Sequence, residues 1–194
     1  MEIRGKIYAY IGDNIYNSIN IKKEVYILEK IKKNTKSKKI IEALQMVNLN
    51  EEYLLKKSND LSNNEYNKLR LASDLINNEK IIILDYFERG LCNREREYFK
   101  RLFKKLSRDY GINFYIKTND FDYCMSFIDE YLIFDKNKIV KSVSKKDIYK
   151  EEIYKYFDKH VLVDFVLSSR KYNHLKDDYT DIKDILKAVY RELE

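Results

Sequence analysis

The sequence predicts an α/β domain, a mostly parallel sheet flanked by helices with a small helical lobe. Three observations carry this expectation. Ile81 to Leu84 is an apolar run without alternation, as in a strand covered on both faces. From there to Val140, strand-like and helix-like segments alternate, the pattern of an α/β layer. Ahead of that run, residues of about 20–60 carry apolar side chains at helical spacing among many charges.

Taken in order, Lys6 to Ile11 reads as a short strand closed by the turn chemistry of Gly12-Asp13-Asn14. Lys22 to Lys33 reads as a helix with Val25, Leu28 and Ile31 on one face. Ser37 caps a second helix with Ile40, Ile41, Leu44 and Val47. Ser62-x-x-Glu65 is a capping box ahead of Leu69, Ala72, Leu75 and Ile76. After the Ile81 strand, Asn93 to Asp109 is a strongly amphipathic helix with Phe99, Leu102, Phe103 and Leu106 on one face, ended by Gly111. Ile112 to Ile116 is a strand, Phe121 to Ile128 a helix, and Tyr131 to Phe134 a strand. Asp135-Lys136-Asn137 turns the chain into Lys138 to Val140. A soft boundary near Ser142 to Ser144 divides a core of residues 1–141 from an extension of 142–194, packed on the same core. That extension reads as a helix over Lys145 to Asp158, an apolar strand over Val161 to Leu167, and a last helix with Ile182, Ile185, Leu186 and Val189.

Composition narrows the classes. With 44% hydrophobic and 36% charged residues, the 194-residue chain is globular with a heavily charged surface. A net charge of +6, from 38 basic and 32 acidic residues, permits attraction to nucleic acid without demanding it. Cys92 and Cys124 are the only cysteines and lack paired spacing, as expected of a reduced cytoplasmic protein. His160 and His174 show no ligand spacing, so no metal site is expected. No apolar run reaches membrane-spanning length and no leader is evident.

Ligands of α/β sheets sit beyond the carboxyl ends of strands. Asp13, Asp85 and Asn119 fall at such ends, and a set of short motifs surrounds them. Leu61-Ser62-Asn63-Asn64-Glu65 resembles the L-S-G-G-Q/E signature of ABC-transporter ATPases. Ile81-Ile82-Ile83-Leu84-Asp85 resembles their Walker B strand, Arg89-Gly90-Leu91-Cys92 their D-loop, and Lys117-Thr118-Asn119-Asp120 their S-T-H-D switch. Tyr8 to Asp13 resembles the strand entering the Q-loop, with Asp13 at the glutamine. The order and spacing of these motifs carry the resemblance, which extends over residues 6–140. It implies a P-loop NTPase fold of the ABC ATPase kind.

The same resemblance implies lost chemistry. In the family, the signature of one ATPase domain meets the ATP held by another. Here both signature glycines are Asn63 and Asn64, although Ser62 remains. The glutamate that polarises the attacking water is Tyr86, whose phenol is a poor base near neutral pH. Cys92 replaces the D-loop aspartate, and Asn119 the switch histidine. The P-loop G-x-x-x-x-G-K-[ST] matches nowhere, since glycine occurs only at 5, 12, 90 and 111. The P-loop strand, which lies inside the family's sheet, is therefore expected to be missing, and its gap to be filled by Val161 to Leu167 or by a partner.

The expected function is that of a pseudo-ATPase, a protein-interaction subunit that docks on an ABC ATPase domain, a permease or a second copy of itself. It sits in the cytoplasm and touches the inner face of the cell membrane only through a permease. No cofactor is expected; ATP and magnesium enter only if a partner supplies a P-loop. The alternative is a composite ATP site in which Leu61 to Glu65 faces a partner's nucleotide. A third class is nucleic-acid binding through Lys32-Lys33, Lys36 and Lys38-Lys39 with neighbouring tyrosines.

Overall fold

The computed structural model describes residues 4–12, 38–56, 60–136, 138–158, 160–169, 179 and 182–192. The expected helix over Lys22 to Lys33, its neighbour's cap at Ser37, and Asp13 lie outside them.

Strand β1 spans Ile7–Gly12. Helix α1, Lys38–Met46, buries Ile40, Ala43 and Leu44 and packs on α2, Asn63–Ile76; a single 3-10 turn at Glu51–Leu54 lies between them. Strand β2 follows at Ile81–Asp85, and then α3 at Asn93–Tyr110. Gly111 ends α3 in the left-handed region at φ 67°, a conformation that glycine adopts without steric cost. Strand β3 is Asn113–Lys117, and the short α4 covers only Phe121–Cys124. Strand β4, Glu130–Asp135, is followed by β5, Lys138–Ser144. Helices α5, Val161–Ser169, and α6, Ile182–Glu192, complete the described elements.

The sheet runs in the order β2-β3-β1-β4-β5. The first four strands are mutually parallel, and β5 is antiparallel to β4. One face carries the main core, where Ile7, Ala9, Ile82, Leu84, Phe114, Ile116 and Tyr131 meet Phe99, Phe103 and Leu106 of α3. The other face buries Tyr10, Ile83, Leu132 and Phe134, with Tyr8 and Tyr115 stacked beside them at 4.6 Å. Burial on both faces explains why β2 reads as an unbroken apolar run.

The sheet corrects several expectations. Among the described residues there is no interior gap, because β1 pairs with β3 on one side and β4 on the other. The segment from Val161 is helix α5 rather than a strand. Asp164 donates its N–H to the His160 carbonyl four residues back, and Val163 and Val166, three apart, are the buried pair. Lys145 to Asp158 is not one helix but two 3-10 turns, Lys145–Asp147 and Ile153–Tyr156, separated by Glu152 at φ 49°. Strand β5, paired with β4, ends at Ser144, within the expected boundary region of Ser142 to Ser144.

Gly12 closes β1 at φ 102° directly under the Phe134 carbonyl. A Cβ at this position would stand 2.0 Å from that oxygen, so only glycine lets the middle strand end there.

Candidate functional site at the carboxyl end of the sheet

The carboxyl ends of β1, β2 and β3 converge at the end of the sheet where α/β folds hold their ligands. Backbone bonds tie them together: Tyr86 donates to the Lys117 carbonyl at 2.8 Å, and Thr118 to the Tyr10 carbonyl at 3.3 Å. The structure therefore gathers Asp85, Tyr86 and Asn119 at one end of the sheet. Among them, Asp85 accepts a hydrogen bond from the Tyr10 hydroxyl at 3.1 Å. Tyr86 sits at φ 49°, an outlier for a bulky side chain, with the Arg89 guanidinium 3.8 Å above its ring. Asn119 donates its side-chain N–H to Asp158.

The signature-like segment abuts this group. Ser62 is the N-cap of α2, and its hydroxyl accepts from the Glu65 N–H at 3.2 Å. The same hydroxyl donates to Glu65 Oε2 at 2.8 Å, and the Ser62 N–H donates to that oxygen at 2.8 Å. Lys56 Nζ adds an ion pair at 3.2 Å. The Ser62 backbone first, then Tyr53, the Ser62 hydroxyl and Lys56, hold the Glu65 carboxyl down at about 2. A carboxylate of the chain's own thus occupies the anion-attracting end of α2. Asn64 lies against Gly90, whose hypothetical Cβ would be 3.4 Å from Asn64 Nδ2. Cys92 is the N-cap of α3, with Glu95 closing a second capping box, and Lys68 pairs with that glutamate at 2.5 Å. Leu61 is partly buried against the main core.

Sequence reasoning overlooked Glu88. It is 3% exposed, and its Oε1 accepts from the Thr118 hydroxyl at 2.7 Å. Burial raises the pKa of this carboxyl, with Thr118 pulling the other way. The available signal was a carboxylate within Tyr86-Phe87-Glu88, between apolar residues that had to face inward. Among the described residues, no three His, Cys, Asp or Glu side chains converge as a metal would require.

No protein-family profile matches the chain. The spermidine/putrescine import ATP-binding protein PotA of Pasteurella multocida is 28% identical over 124 residues, which cover 64% of this chain and 33% of that protein. PotA of Clostridium novyi is 28% identical over 141 residues, covering 73% of this chain and 38% of that protein. This chain is a relative of the ATP-binding proteins of ABC transporters. It spans about a third of the length of the curated relatives it matches, 33% in the first case.

Solved structures agree on the ABC ATPase fold. A metal-chelate type ABC transporter in an inward-facing conformation aligns with TM-score 0.54 at 16% identity, over 78% of this chain and 77% of that one. The cbiO1 protein of Clostridium perfringens, part of the transporter complex cbiONQ, aligns with TM-score 0.52 at 16% identity, over 77% and 81%.

Proposed function

We propose that this chain is an ABC ATPase-like protein that does not hydrolyse ATP and acts by docking on another ATPase domain or on a permease. The supporting observation is the sheet order. β1 holds the middle of the sheet, the place inside it where the resemblance puts the P-loop strand, and it ends on Gly12. The sequence beyond Gly12 lacks the P-loop's chemistry. At the spacing of G-x-x-x-x-G-K-[ST], Asn17 replaces the second glycine, Ser18 the lysine and Ile19 the hydroxyl residue. On this reading β1 is the P-loop strand itself, not the strand entering the Q-loop.

The remaining positions agree with a lost reaction. Tyr86 offers no general base, and Asn119 is bonded to Asp158. A sequence without the P-loop lysine, and Asp85 without a neighbouring glutamate at Tyr86, do not fit magnesium nucleotide, so no step is routed through it. The composite-site alternative gains little, since the Ser62 hydroxyl and backbone N–H are already bound to Glu65.

Titration calorimetry of the full chain with ATP and magnesium tests this. We expect no binding tighter than about 1 mM, the affinity of a weak non-specific ligand at roughly −4 kcal/mol. Micromolar, magnesium-dependent binding, or phosphate release by the purified chain, overturns the proposal. Among the described residues no helix is long and apolar enough to cross a membrane. Attachment through a permease is part of the same proposal.

A further inference from the structure

The turn from Tyr86 to Leu91 is built around a buried carboxyl group that the function above does not use. Phe87 and Leu91 anchor the turn in the core at 2% and 7% exposure, and Glu88 lies between them at 3%. The turn closes through bonds from the Arg89 N–H to the Tyr86 carbonyl at 3.1 Å and from the Leu91 N–H to the Glu88 carbonyl at 3.3 Å. Its backbone takes positive φ at Tyr86 (49°) and at Gly90 (78°). The first of these is strained for a tyrosine and persists only because its surroundings hold it.

Glu88 is part of that hold. Its Oε1 receives the Thr118 hydroxyl, and Thr118 in turn accepts the Asp120 N–H at 2.9 Å. Its Oε2 is buried without a hydrogen-bond partner, as is the nearby Tyr123 hydroxyl. Of the charged and titratable groups around it, only Arg89 offers a counter-charge, and burial outweighs it. Arg89, on the same turn, stacks on Tyr86. From α3, Arg96 is paired with Asp120 at 3.2 Å, and Lys100 with Glu97 at 2.8 Å. From α4, burial pushes the Tyr123 phenol and the Cys124 thiol well up, so both are neutral neighbours. Asp120 adds like charge. A carboxylate in this place would be a buried charge with one oxygen unpartnered, eased only by the Thr118 hydroxyl, its own backbone N–H and Arg89; the protonated acid avoids most of that desolvation cost.

We propose that Glu88 is a proton-operated latch: protonated, it seats the Tyr86–Leu91 turn on Thr118, and ionised, it drives the turn off. Because Gly90 lies against Asn64, release of the turn also frees the tip of α2. The latch stands on its own geometry. Only its consequence, pH-dependent presentation of the docking surface, rests on the function proposed above, and nucleotide titration tests that function separately.

The test is nuclear magnetic resonance of the full chain with carbon-13 glutamate, recorded alongside amide exchange from about pH 4 to pH 8. The Glu88 carboxyl is expected to titrate above the ordinary glutamate range. Protection of the Tyr86, Arg89 and Leu91 amides is expected to fall about tenfold or more with the same midpoint. In Glu88→Gln, which keeps the Thr118 bond without a charge, protection stays flat. Titration of Glu88 in the ordinary range, protection indifferent to its ionisation, or an unchanged profile in Glu88→Gln each overturns the latch. If the variant fails to fold, the two wild-type curves decide alone.

Discussion

Ser62 uses its hydroxyl twice, accepting from the Glu65 N–H and donating to the Glu65 carboxylate. Ser62→Ala is expected to lower stability by about 1 kcal/mol in denaturant unfolding. It should also change the acid limb. Glu65 is held at about 2, so its contribution is complete above its ordinary range and is lost as pH falls towards 2. Without the Ser62 hydroxyl, the loss begins at higher pH. This residue pair was legible because a capping box is local, its partners three positions apart. For Glu88 the local pattern offered only its place beside buried Phe87; its hydrogen-bond partner, Thr118, lies thirty residues away and was not legible.

At the scale of elements, the period of the pattern decided what could be read. Helix α3 shows its buried face every third or fourth residue, and the sequence expectation for it agrees with the structure to within one residue. Strands β2, β3 and β4 were marked by short apolar runs between turn residues. Val161 to Leu167 is also a short apolar run, and composition cannot tell a buried strand from a buried helix. The structure separates them through two neighbours: Val166 is buried, while Phe165 is 45% exposed. On a strand, Phe165 would share the face of Val163. Phe165→Glu is therefore expected to change stability by less than about 0.5 kcal/mol. Val166→Asp should cost several-fold more, about 2 kcal/mol or above, by burying an unpaired polar group. Thermal unfolding of the two variants checks the contrast, and equal costs would contradict the helix.

For the whole molecule, titration is a contest between two sets of carboxyl groups. Hydrogen bonds and cations hold Glu65 and Glu95 low, so these groups favour the fold as pH rises. Burial raises Asp74 to about 6 from an ordinary 3.8, with Arg70 opposing and Glu79 assisting. The folded state then binds the Asp74 proton more tightly than the unfolded chain does. Its contribution is complete below 3.8 and is lost as pH climbs through about 6. Asp74→Asn is expected to flatten that limb in a series of melting temperatures against pH and to raise stability at neutral pH. The sequence could not reveal this, since Asp74 lies on a helix whose exposed face is also acidic and basic. Nor could it reveal that β1 is the middle strand, because strand order depends on which crossovers form and not on local pattern.

Strand β5 closes one side of the sheet with Ile139 and Val140 exposed at 53% and 59%. Lys141 follows them, its ammonium group bound to Glu151 at 3.3 Å. Among the described residues no strand pairs with the outer side of β5; a margin of this kind invites other chains to add strands of their own, and a lysine is a common guard against such growth. Lys141→Val would extend the apolar pair Ile139-Val140 by a third β-branched side chain and leave a naked template. Light scattering should then show oligomers that grow with concentration. Lys141, with Lys138 at the start of the same strand, would keep the molecule soluble without contributing to its core.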